Sequence, residues 1–225
     1  MARCCRCTGS PTSSSPQPKH RAPVQCGLRL ALFGGTFDPI HCAHITIARE
    51  AADQFGLPRV LFIPAAHPPH KADSGASFED RFEMVKLACS VDPRFVPSRL
   101  EEGEGRSYSI QTIEKLAAPD TVLYFIIGAD AFAEIASWHR WQDVIRLTDF
   151  IVVTRPGHEY RTPPGARVHR LDTVALPVSS SEVRQKLANG IEPPDLAEPV
   201  MRFIDERGLY DWPGARNASV RHSVP

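Results

Sequence analysis

Charge of one sign is missing from this 225-residue chain: 26 Lys and Arg residues balance 26 Asp and Glu, for a formal net charge of +0 at pH 7. Without a bulk positive field, nothing holds nucleic acid or an anionic membrane by counterion release. A small-molecule partner is the expectation, with no nucleic acid and no membrane. Long apolar runs are missing too. No stretch approaches the roughly 20 apolar residues that cross a bilayer, and residues 1–26 lack the apolar core of a signal peptide, so a cytoplasmic location is expected. A disulfide framework is also lacking. Cys4, Cys5, Cys7 and Cys26 precede the first core strand, while Cys42 and Cys89 fall inside helical patterns, which reads as reduced thiols. Cys4 and Cys7 make one C-x-x-C pair with His20 and Cys26 downstream, but the second closely spaced pair of a structural zinc site is absent.

Residues 1–26 are rich in Ser, Pro, Cys and basic residues with no apolar period, and read as a disordered extension; residues 214–225 read as a flexible tail. Between them, residues 27–213 are expected to form a single domain around one core. LRLALFGG (28–35) predicts a strand ending in paired glycines, followed by a helix from about His44 to Phe55. Further strands are expected over 59–65, 94–98, 122–130 and 149–157, with one more within 167–177. Helices are expected over 77–89, over 107–118 opened by Ser107, and from near Ser180 and Glu198. The alternation predicts an α/β fold of the Rossmann-like, doubly wound kind: a mostly parallel sheet with helices on both faces.

Ligands of such sheets bind outside the carboxyl ends of the strands. Polar clusters fall at that edge after four strands: GGTFDPIHCAH, PAAHPPHK, GAD and TRPG. In the first, Gly34 and Gly35 let backbone N–H groups approach a phosphate, and Pro39 stiffens the exit of the turn. His41 and His44 lie three apart, which on a helical turn places both imidazoles on one side at the positive end. A zinc reading lacks the spacing and the glutamate of H-E-x-x-H. The segment VSSSEVR (178–184) supplies a second candidate grip, with Ser179 or Ser180 capping a helix and Arg184 one turn in, able to fork onto phosphate oxygens. A dinucleotide-fold oxidoreductase would want G-x-G-x-x-G after the first strand, and GGTFDP is not that pattern.

The string G-x-F-D-P-x-H-x-x-H resembles the signature of the HxGH nucleotidyltransferases. Within that superfamily the chain is similar to the bacterial nicotinate-nucleotide adenylyltransferases, from about Leu28 to Tyr210, through GGTFDPIHCAH, IPAAHPPHK, SYSIQTI, FIIGAD, Trp138, VVTRPG and SSSEVR. The resemblance implies transfer of AMP from ATP to nicotinate mononucleotide, giving the dinucleotide and pyrophosphate. It implies that His41, His44 and Arg184 stabilise charge in that transfer, and that Gly34, Gly35, Thr36 and Phe37 contact ATP. Asp130 would take a ribose hydroxyl, and Ser180, Ser181 and Arg184 would complete the ATP site. For the mononucleotide, the resemblance implies His70, Lys71 and Arg155 around the phosphate, Trp138 stacked on the pyridine ring, and N–H groups near Ser109, Ile110 and His139 on the carboxylate.

Two positions depart from the family pattern: Ala43 stands where a glycine is usual, and Ala65 where many relatives have asparagine. The resemblance also implies Mg²⁺, bound chiefly through the ATP phosphates with no dedicated protein site. The alternatives are an HxGH enzyme using nicotinamide mononucleotide or pantetheine phosphate as acceptor, or a nucleotide-binding regulator that does not turn over.

Overall fold

The computed structural model describes residues 27–67, 75–103, 105–154, 159–172 and 178–214. Strand and helix alternate from the start: β1 (Leu28–Gly35), α1 (Cys42–Phe55), β2 (Val60–Pro64), α2 (Phe78–Cys89), β3 (Phe95–Pro97), α3 (Ser109–Leu116) and β4 (Thr121–Gly128). Then come α4 (Ala129–Ala133), a 3-10 turn (Ile135–Ser137), α5 (Trp141–Leu147), β5 (Asp149–Thr154), β6 (Arg167–Asp172), α6 (Ser180–Ala188) and α7 (Glu198–Arg207), closed by a second 3-10 turn at Leu209–Asp211.

The strands form one six-stranded sheet in the order β3-β2-β1-β4-β5-β6. Every pairing in it is parallel, where the sequence pattern had given only a mostly parallel sheet. From β1 to β5 each connection passes through at least one helix, which returns the chain to the same edge before the next strand begins. After β3 the chain crosses back to lay β4 against β1, so the strand order reverses between those two central strands.

The side-chain alternation of β1 explains why both of its faces are covered. Ala31 and Phe33 point into one apolar cluster with buried residues of α1, α2, α6 and α7. Leu30 and Leu32 point into the other, with residues of α3, α4 and α5. Helix ends are set by local chemistry. The Ser77 hydroxyl accepts the Asp80 N–H at 3.1 Å at the start of α2, and Gly56 ends α1 in the left-handed region at φ 57, where a Cβ would be strained.

Two helix starts differ from the sequence reading by two residues each. Helix α1 begins at Cys42, two residues earlier than expected. Helix α3 begins at Ser109, because Ser107 has other partners: its hydroxyl accepts the N–H groups of Ala66 and His67 at 3.1 and 3.3 Å, and its N–H donates to the His67 carbonyl at 3.3 Å. No described helix is long and apolar enough to cross a membrane.

Candidate functional site

The loop leaving β1 is built around an aromatic plug. Phe37 is 2 % exposed and sits at φ 50. Its ring lies 5.7 Å from Phe33, edge-on, 5.8 Å from Phe62 and 5.1 Å from the His44 imidazole. A Cβ on Gly35 would come within 3.0 Å of the Phe37 ring, so glycine there makes room for the plug. On Gly34 the same atom would meet Phe125 at an ordinary 3.7 Å. The paired glycines therefore differ: a side chain at the second would crowd the Phe37 ring, and one at the first would meet only an ordinary contact.

The plug positions the histidine pair. His41 is the N-cap of α1 in extended conformation, and its N–H donates to Nδ1 of His44 at 3.2 Å. With Nδ1 accepting, the neutral His44 ring carries its proton on Nε2. The two rings are 3.8 Å apart between centroids. Burial holds His41 down to about 4, against the opposing pull of Asp195 and Glu182. His44 is held well below the ordinary value by burial first and by His41 second. In the ligand-free protein at pH 7 both imidazoles are thus neutral N–H donors. The first amide of α1 is not open to a ligand either, because the Cys42 N–H donates to the Asp195 carbonyl at 2.8 Å. Ala43, the departure between the histidines, is buried in the first turn.

Helix α6 closes onto this loop from the far end of the chain. Ser179 caps it in a reciprocal pair: its hydroxyl accepts the Glu182 N–H at 3.2 Å, and the Glu182 carboxylate accepts the Ser179 N–H at 2.9 Å. The next hydroxyl, of Ser180, donates to the Pro39 carbonyl at 3.0 Å across 141 residues of sequence. Arg184 donates to the Asp38 carbonyl at 2.6 Å and to Ser181 Oγ at 3.4 Å. The grip expected from two distant segments is therefore brought together.

Asp38 holds this junction, and sequence reasoning quoted it without assigning it a role. Its buried carboxylate accepts the N–H groups of Gly75 and Ala76 at 2.7 and 3.2 Å and the Tyr210 hydroxyl at 2.8 Å. Burial, then the Asp38 charge, pushes the Tyr210 hydroxyl far above its ordinary value, so it stays a donor. A second unassigned residue is Arg81 on α2, also buried, which donates to the carbonyls of Thr36 and Ala65 at 2.7 and 2.9 Å. The signal for both was an ionisable side chain among apolar ones. Arg81 shares the helical stripe of the buried Met84, Val85 and Ala88.

On the other side of β1, the segment after β4 and the start of α3 face each other. Asp130 lies exposed in the first turn of α4. Trp138 is half-buried, with its ring edge-on to Phe125 at 5.8 Å. The exposed His139 ring lies 4.6 Å from that of Tyr108, and the Arg140 guanidinium pairs with Glu114 of α3 at 2.8 Å. Ser109 and Ile110 open α3, so their N–H groups are among those with no acceptor inside the helix. The Ala65 N–H donates to the Gly35 carbonyl at 2.9 Å, tying the end of β2 to the end of β1. His70, Lys71 and Arg155 lie outside the described residues.

A parallel sheet of this order, with a glycine-containing loop and paired imidazoles at the edge where the order reverses, is the architecture of an α/β nucleotide-binding protein. The model of the cytidylyltransferase-like family matches residues 32–186. A probable nicotinate-nucleotide adenylyltransferase of Solibacter usitatus is 55 % identical over 188 residues, covering 82 % of this chain and 100 % of the relative. One from Exiguobacterium sibiricum is 40 % identical over 187 residues, covering 81 % and 99 %. In fold, the chain is similar to the Plasmodium falciparum nicotinic acid mononucleotide adenylyltransferase solved with NaAD, at a TM-score of 0.70 and 18 % identity, covering 82 % of this chain and 98 % of that one. The chain belongs to the cytidylyltransferase-like family and, within it, to the nicotinate-nucleotide adenylyltransferases.

Proposed function

We propose that the chain transfers AMP from ATP to nicotinate mononucleotide, releasing pyrophosphate and forming nicotinate adenine dinucleotide, a step of NAD biosynthesis. The observation that carries this reading is the convergence of His41, His44 and Arg184 on one loop, locked by the Ser180–Pro39 and Arg184–Asp38 hydrogen bonds. A phosphate oxygen of the mononucleotide attacks the α-phosphorus of ATP. The new P–O bond forms as the bond to the β-phosphate oxygen breaks, and pyrophosphate leaves with the electron pair. The attacking oxygen is already anionic, so no general base is required. What the protein supplies is alignment and donors aimed at the charge that develops.

Nε2–H of His44 is such a donor, preset by the His41 N–H on its other nitrogen. His41 and Arg184 act on the same phosphates, while Gly34, Gly35, Thr36 and Phe37 shape the loop, Ser180 and Ser181 flank Arg184, and Asp130 takes a ribose hydroxyl. For the acceptor, Trp138 stacks on the pyridine ring, and the amides of Ser109, Ile110 and His139 receive its carboxylate; His70, Lys71 and Arg155 approach its phosphate. First-turn amides favour a carboxylate over a carboxamide, whose NH₂ would face donors. Mg²⁺ would accompany the triphosphate. Asp38 is engaged by Gly75, Ala76 and Tyr210, and the ion would be held chiefly through phosphate oxygens. When bound, it would neutralise charge on the leaving pyrophosphate.

ATP labelled at the α-phosphorus tests the reading. With nicotinate mononucleotide present, the label is expected in the dinucleotide and not in pyrophosphate. Label appearing as free AMP, or remaining in ATP, would overturn it.

A further inference from the structure

Arg81, in the first turn of α2, is 1 % exposed and heads the largest fully buried side chains among the described residues. Its Nη1 donates to the Thr36 carbonyl at 2.7 Å and to the Ala65 carbonyl at 2.9 Å. Nη2 reaches the Ala66 carbonyl at 3.5 Å, and Nε the Ala76 carbonyl at 3.3 Å. These acceptors come from three stretches of chain: the loop after β1, the loop after β2, and the turn into α2.

Taking a guanidinium out of water is costly, and an apolar side chain of similar volume would avoid that cost but leave the carbonyls of Thr36, Ala65, Ala66 and Ala76 without this donor. Burial lowers its pKa, opposed by the Asp38 charge, but an arginine keeps its proton in any such site. What the guanidinium adds is geometric. It is a planar fork whose donors lie at fixed angles, so carbonyls bound to it are fixed relative to one another. The β1–β2 ladder ends at Gly35 and Pro64, and the Ala65 N–H to Gly35 carbonyl bond adds one further rung. Beyond that rung, Arg81 spans the two loops directly.

Under the proposed reaction, Thr36 belongs to the loop that grips ATP, and Ala65 and Ala66 lead into the segment that approaches the mononucleotide. We infer that Arg81 is a positioning residue that sets the separation of the two reactants, through its simultaneous hold on Thr36 and on Ala65–Ala66. In-line transfer needs the reacting atoms about 3–3.5 Å apart, and a misplacement of about 1 Å costs on the order of 10²-fold in rate. A residue with this role affects kcat and the binding of a ligand that spans both sites. It leaves each substrate's own contacts in place.

The test compares wild type with Arg81→Lys, whose ammonium keeps the charge but not the planar fork that fixes the carbonyls relative to one another, and with Arg81→Gln, which leaves no buried charge. Wild-type turnover is measured first, so failure of the proposed reaction is read separately from failure of this inference. In each folded variant, calorimetry measures the Kd of ATP, of nicotinate mononucleotide and of the dinucleotide product. The expected result is a Kd for each substrate within about threefold of wild type, a dinucleotide Kd raised at least tenfold, and kcat lowered at least tenfold. Parallel weakening of all three ligands would assign Arg81 to general stability and overturn the inference. So would kcat and product affinity near wild type, or failure of both variants to fold.

Discussion

The two sides of β1 are built by different means. On the donor side, Asp38, Arg184, Tyr210 and Ser180 cross-link residues 141 to 172 positions apart through buried or half-buried hydrogen bonds, and the Phe37 plug leaves the loop little freedom. On the acceptor side, the contacts of the segment after β4 are rings and a surface ion pair: Trp138 on Phe125, Tyr108 on His139, Arg140 with Glu114. A cross-linked polar network fixes donors before the ligand arrives, which is what stabilising a transition state requires. Half-exposed rings stack on a flat substrate in ground state and transition state alike, which contributes binding but little rate. The comparison teaches that rate should reside on one side of the strand and affinity on the other.

The sharpest way to break that division is His44→Ala. Removing a preset transition-state donor is expected to lower kcat by about 10²-fold or more with little change in the KM of the mononucleotide, measured in steady state. Unchanged turnover would deny the donor side its role.

A second effect is on stability. The unfolded His41 takes up a proton near 6.5, while burial delays that proton in the folded protein to about 4. The contribution of the buried neutral ring is therefore complete above 6.5 and is lost as pH falls toward about 4, amounting to roughly 2 kcal/mol by pH 4.5. Urea unfolding at pH 7 and 4.5 should show that loss in wild type and a smaller one in His41→Gln. An equal loss in both would contradict the burial argument.

The smallest effect is expected on the acceptor side. Trp138→Ala should raise the KM of the mononucleotide about fivefold, in line with an aromatic stacking contribution of roughly 1 kcal/mol, and leave kcat within about threefold. A fall in kcat to match that of His44→Ala would erase the distinction.

Much of this was legible in the sequence, and for physical reasons. An apolar run placed β1 with its observed bounds, and the starts of the helices at Ser180 and Glu198 were legible too, because glycines, serine caps and prolines punctuate the chain there. The GGTFDPIHCAH and SSSEVR segments stood out because glycines, histidines and serines at a strand end have few packing roles. Harder to read was what lies between. Ser107 looked like a helix cap, yet its hydroxyl partners are amides about 40 residues away, and tertiary pairing outweighed the local pattern. Arg81 and Asp38 were hidden because a buried ion is defined by partners the local sequence does not name. The charge state of the histidines was likewise a property of burial: they lie at a helix start as expected, but as neutral donors.

The most direct test of the whole account is the steady-state rate with ATP and either nicotinate or nicotinamide mononucleotide, followed by dinucleotide formation. The account predicts a dinucleotide with both acceptors or with nicotinate alone, and a kcat/KM for the nicotinate form at least tenfold higher, the result expected if the first amides of α3 receive the ring carboxylate as proposed. A preference for the amide form, or no dinucleotide from either acceptor, would contradict it.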